Sequence, residues 1–117
     1  MDTHHQINYI EMPSRDLEQS KAFFQDAFGW SFTDYGPDYC DFQHDGIAGG
    51  FYRVDATMNQ SQGSALVVLY SNDLAASEAA VLAAGGEISK ATFEFPGGRR
   101  FHFLEPAGSE FAIWTKT

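Results

Sequence analysis

An internal repeat constrains this chain more than any other feature. Asp16, Leu17, Ser20, Ala22, Ala27 and Gly29 recur as Asp73, Leu74, Ser77, Ala79, Ala84 and Gly86, each pair 57 positions apart in a chain of 117 residues. A fixed offset near half the length, falling on residues suited to cap, line and stop a helix, points to one supersecondary unit used twice. Two such units can pack around a shared cavity, and the offset then nominates the residues that line it.

The hydrophobic pattern fills in each unit. Ile7 to Met12 alternates as a strand, with Ile10 and Met12 on one face and Ile7, Tyr9 and Glu11 on the other. Pro13-Ser14-Arg15 is expected to end it. Asp16 then caps a helix, with Gln19 three residues on, and Leu17, Phe23, Phe24, Ala27 and Phe28 form its apolar stripe before Gly29 stops it. Strands are expected over 30–35, 39–44 and 47–54, with Gly36-Pro37-Asp38 and Asp45-Gly46 as turns. Residues 55–63 are polar and read as a linker. The pattern then restarts: a strand over 65–70, an Ala-rich helix over 74–84, and strands over 87–95, 99–104 and 110–115. The expected fold is α+β: two βαβββ units, about 6–54 and 64–117, whose curved mixed sheets surround a cavity within one domain spanning 1–117.

Composition narrows the partners. The net charge of −9 leaves no basic surface for nucleic acid or an anionic membrane, and Arg99–Arg100 is the only adjacent basic pair. The one cysteine, Cys40, excludes an internal disulfide. The opening Met1-Asp2-Thr3-His4-His5 lacks the basic and apolar regions of a secretory signal, and no apolar run approaches the ~18 residues of a membrane span. A cytoplasmic protein is the expectation. Eleven Phe, five Tyr and two Trp exceed what a core of this size needs, so some rings are free to line a ligand pocket.

The set Ile7-Asn-Tyr-Ile-Glu-Met-Pro, Asp16-Leu17, Phe23-Phe24, Phe28-Gly29-Trp30, Gly49-Gly50-Phe51 and the closing Phe103-Leu-Glu-Pro-Ala-Gly-Ser-Glu-Phe-Ala-Ile-Trp114 resembles the vicinal oxygen chelate superfamily, which includes glyoxalase I, bleomycin-resistance proteins and extradiol dioxygenases. The chain looks most similar to the small glyoxalase-related proteins of unassigned activity. The resemblance implies metal ligands on the first and last strands of each unit. Those positions fall here on Tyr9, Leu66, Gly50 and Ala112, and three of the four side chains carry no donor atom. The resemblance therefore implies the fold without the usual metal site; no metal and no cofactor are expected. It also implies a homodimer paired through sheet edges.

Alternation places Tyr9, Glu11, Tyr52, Tyr70 and Trp114 on the cavity side, and aligning Asp45-Gly46 with Ala107-Gly108 adds Cys40 and His102 at matching positions. Each admits two readings. Glu11 is a proton donor or base desolvated among rings, or a solvated carboxylate at the cavity mouth. His102 is its acid–base partner, or a strand histidine bonded to backbone. Cys40 is a thiolate beside His102, or a small core residue. The tyrosines and Trp114 stack on a ligand or fill the cavity. Arg99 and Arg100 hold a ligand carboxylate or pair with the acidic surface. The leading expectation is a small-molecule-binding protein for an aromatic or apolar ligand. The alternative is a lyase, isomerase or dioxygenase relative using Glu11 with a tyrosine or His102, or a metal at displaced positions.

Overall fold

The computed structural model describes residues 2–116. Their elements run β1 (Tyr9–Ser14), α1 (Leu17–Phe28), β2 (Ser31–Asp34), β3 (Tyr39–Gln43), β4 (Ala48–Arg53), β5 (Val67–Tyr70), α2 (Leu74–Ala83), β6 (Glu87–Phe95), β7 (Gly98–Leu104) and β8 (Glu110–Thr115). One sheet has the order β1-β4-β3-β2 and the other β5-β8-β7-β6, so the second unit repeats the topology of the first. In each, the first strand pairs parallel with the last and the other pairs are antiparallel.

The repeat is physical at the helix starts. Asp16 and Asp73 sit at nearly identical backbone angles (φ −150°, ψ 95° and φ −150°, ψ 93°), and each carboxylate accepts from the N–H three residues on, Gln19 or Ala76. Behind each cap lies a serine pair: Ser14 with Ser20 at 2.7 Å and Ser71 with Ser77 at 2.6 Å. Ser14 Oγ also accepts from the Asp16 N–H, as Ser71 Oγ does from Asp73. Gly29 adopts φ +73°, the left-handed turn that closes α1 without a Cβ penalty.

The first strand starts and ends two residues later than its periodicity suggests. It runs through Pro13 because β1 pairs only with β4, and a proline is tolerated on an edge strand where its missing N–H breaks no ladder. Ile10, Met12 and Ser14 face the helix, as do Phe51, Cys40 and Phe42 from β4 and β3. In the second sheet Phe101, Phe103, Phe111 and Ile113 form the inner face. Helix α1 joins the two. Phe24 alone packs on Phe51 of one sheet (5.5 Å between ring centroids) and Phe111 of the other (5.1 Å), and Phe23 packs on Phe103. The helices thus fill the space between the inner faces.

The two mixed four-stranded sheets are not closed on one another. Both inner faces meet a common helical core, so the outer faces point away from it and stay open.

The 55–63 segment is docked rather than loose. The Met58 N–H donates to Ser109 Oγ, the Met58 carbonyl accepts from the Glu110 N–H, and the Gln60 N–H donates to Glu110 Oε1. No helix among the described residues is long and apolar enough to cross a membrane.

Candidate ligand-binding faces

The outer face of the first sheet carries Tyr9 and Glu11 from β1, Tyr39 and Asp41 from β3, and Gly50 and Tyr52 from β4, as the strand register requires. A hydrogen-bonded chain runs across it. The Tyr39 hydroxyl donates to Glu11 Oε2 at 3.0 Å and meets the Tyr9 hydroxyl. Burial, with the contacts to Tyr9 and Glu11, pushes the Tyr39 hydroxyl well above the ordinary phenol range. Gly50 makes this possible: a Cβ there would collide with the Tyr39 hydroxyl and with the Cys40 carbonyl. Beside the chain, Tyr35 donates to Asp41 at 3.3 Å, and the nearby Asp41 charge raises the Tyr35 hydroxyl.

The outer face of the second sheet is richer in rings. Val68, Phe95, Gly97, Arg100 and Trp114 line an open groove of about 260 Å³. The Arg100 guanidinium lies over Phe93 (5.2 Å to the centroid) and Phe95 (5.5 Å), and Trp114 packs on Tyr70 and Phe95. Along the same strand, His102 is fully buried, with Nδ1 2.8 Å from Glu110 Oε2. Burial alone would raise the Glu110 carboxyl, but the Gln60 N–H and the His102 imidazole outweigh it and hold the group below the usual carboxylate range. Two polar atoms here lack any hydrogen-bond partner: Arg100 Nε and His102 Nε2.

The structure thus separates the expected residues into three places. Tyr9, Glu11 and Tyr52 share the first outer face, with Glu11 pointing away from the helix as alternation requires, and exposed. Tyr70, Trp114 and His102 share the second. Cys40 is on neither. It is fully buried on the inner face opposite Phe51, and burial pushes its thiol up, away from reactivity.

The residue that matches His102 is Asp41, since each stands across from the small residue (Gly50 or Ala112) of the adjoining strand. The β7–β8 hairpin is one residue longer than β3–β4, and a slip of one residue turns every side chain to the other face. On the first strands Glu11 stands opposite Gly50 and Val68 opposite Ala112, with Tyr9 two residues before Glu11 on the same face. Tyr39, Phe93, Phe95 and Glu110 were not singled out in the sequence. Their signal was present as alternation with Gly50, Arg100 and Ala112, but it becomes readable only once the pairing is known. Among the described residues no three His, Cys, Asp or Glu side chains are gathered as a metal ion would require.

Residues 6–113 match the model of the Glyoxalase/Bleomycin resistance protein/Dioxygenase superfamily, and the chain belongs to that family. A curated relative, the anthracycline biosynthesis protein DnrV of Streptomyces peucetius, is 29% identical over 126 residues, covering 92% of this chain and 46% of its own length. The chain therefore spans about half the length of that relative. Among solved structures, a glyoxalase/bleomycin resistance protein/dioxygenase family enzyme from Burkholderia phytofirmans PsJN superposes with a TM-score of 0.77 at 18% identity, over 96% of this chain and 99% of that one. The antibiotic binding protein TnmS3 of Streptomyces sp. CB03234 gives 0.72 at 16% identity over 100% of both chains. At these identities the structural likeness is one of fold.

Proposed function

We propose that this protein binds an aromatic small molecule, without a metal, against its outer sheet faces. The observation that carries the reading is the groove of the second sheet, where Trp114, Phe95 and a guanidinium stacked on rings meet over about 260 Å³. A ring-lined concavity with one oriented cation suits a planar ligand bearing an oxygen acceptor. The likeness to an antibiotic binding protein and to an anthracycline biosynthesis protein supports that class. Metal independence rests on donor chemistry: Gly50, Val68 and Ala112 offer no ligand atom, and the Tyr39 hydroxyl fills the space above Gly50.

The outer faces of one chain diverge, so a second copy is needed to close a site. We propose a homodimer in which the first-sheet face of one protomer covers the second-sheet face of its partner, with the open edges at β1 and β5 available for pairing.

Titration with an anthracycline tests the ligand reading. Trp30 lies in the core against Phe24 and Trp114 lines the groove. Binding is expected to quench the Trp114 emission and raise the melting temperature by linkage, and a Trp114→Phe variant should lose most of the quenching. An anthracycline that changes neither emission nor melting temperature at up to ~1 mM would reject it.

A second reading, an enzyme of the lyase or isomerase type, draws on the Tyr9–Tyr39–Glu11 chain. It requires solvent deuterium exchange into an α-hydroxy carbonyl substrate that Glu11→Gln abolishes.

A further inference from the structure

Arg100 has no counterion of its own. The chain carries 16 Asp and Glu against 7 Lys and Arg, so carboxylates are plentiful. Lys21 uses two of them, Glu18 and Asp34, each at 2.8 Å, and Arg53 pairs with Asp38. Among the described residues no ion pair reaches Arg100. It has rings instead: Phe93 and Phe95 lie 5.2 and 5.5 Å from the guanidinium carbon. A ring attracts a cation electrostatically but leaves the guanidinium N–H donors unspent. The buried Nε, bonded to nothing, is one of them.

The surrounding strands do not supply the missing charge. Register sets Trp114 opposite Arg100 on β8 and Phe93 opposite it on β6. Glu110, on the same face of β8, is four residues from Trp114, about 13 Å along the strand. Its charge is already met by the Gln60 N–H, His102 and Lys90. The charge state of His102 does not alter this: a protonated imidazole adds a cation and a neutral one adds nothing. The guanidinium is therefore a partly buried cation lining an open groove, with Trp114 and Phe95 beside it. A charge taken part-way out of water and left unpaired is costly, and a planar anion offsets that cost with charge-assisted hydrogen bonds.

We propose that the groove of the second sheet selects an aromatic carboxylate, an inference that rests on the ligand reading given above. The ligand ring lies against Trp114 and Phe95, and its carboxylate accepts two parallel N–H bonds from the Arg100 guanidinium.

Calorimetric titration of the native protein with 2-naphthoate and the near-isosteric, uncharged 2-naphthamide tests this. The carboxylate is expected to bind about 10-fold tighter, the size of one charge-assisted hydrogen bond. Arg100→Met keeps a long side chain over the rings and should bring the two probes within about 2-fold of each other. Arg100→Lys keeps the charge but not the fork, and its preference should fall between. Salt gives a reading that needs no variant. From about 0.05 to about 0.5 M, the native affinity for 2-naphthoate should fall several-fold while that for 2-naphthamide stays level. Equal affinity of the native protein for the two probes overturns the carboxylate and leaves the aromatic-ligand reading intact. A preference that survives in Arg100→Met overturns it too; if that variant is also monomeric, the guanidinium serves a carboxylate of the partner protomer instead. If neither naphthalene binds while an anthracycline does, the carboxylate falls alone. If none of the three binds, the aromatic-ligand reading falls with it.

Discussion

Glu105 is a carboxylate used as a structural joint. It is 1% exposed, accepts from the Ala107 and Ser109 N–H groups, and takes a third hydrogen bond from Ser20 Oγ on α1. One side chain therefore closes the β7–β8 turn and ties it to the helix of the other unit. Glu105→Gln, which swaps one acceptor for a donor facing those groups, is expected to cost about 2 kcal/mol in urea unfolding. Gly50 works through absence. Gly50→Ala should push Tyr39 off Glu11, so that the Tyr39 hydroxyl titrates closer to the ordinary phenol range in an ultraviolet pH titration, with Tyr39→Phe identifying the signal. Glu110 gives a pH signature. Its carboxyl is held below the usual value in the folded state, so its contribution is complete above the unfolded pKa and is lost as pH falls through the folded one. Stability measured from neutrality down to about pH 3 should therefore fall less in Glu110→Gln than in the native protein.

At the level of elements, the paired helix starts offer an internal control. Asp16 and Asp73 make the same hydrogen bond from the same backbone geometry, so Asp16→Ala and Asp73→Ala should each cost about 1 kcal/mol, and nearly equally. A large inequality in chemical denaturation would show that tertiary contacts, not the cap, dominate at one of them. These starts were legible in the sequence because caps, helix stripes and stops are local: a few residues within one turn decide them. The strands β6 and β8 were legible to the residue for the same reason, flanked as they are by glycine and proline turns. What was not legible depended on partners far along the chain. Cys40 and His102 looked equivalent by their distance from a turn. Only the ladders, which set Asp41 opposite Gly50 and His102 opposite Ala112, show that one points inward and the other out. The open faces escaped for a related reason. Alternation assigns a side to each residue but does not say that both inner sides share one helical core.

The whole molecule is a core with two outward surfaces, and this sets its expected assembly. Light scattering at micromolar concentration should give about twice the 13.0 kDa chain mass; a single species at the chain mass would rule the dimer out. The repeat offset shows where the two units differ in length while sharing a frame. It is 57 from Thr33 to Lys90, 61 from Asp41 to His102 and 62 from Gly50 to Ala112, so the frame is rigid through the second strand of each unit and the added residues fall after it. The one-residue difference in hairpin length sets which side chain stands across from the small residue of the neighbouring strand. On a duplicated scaffold of this kind, an insertion in a surface turn can therefore rewrite the chemistry of an entire binding surface without a single substitution in the strands that build it.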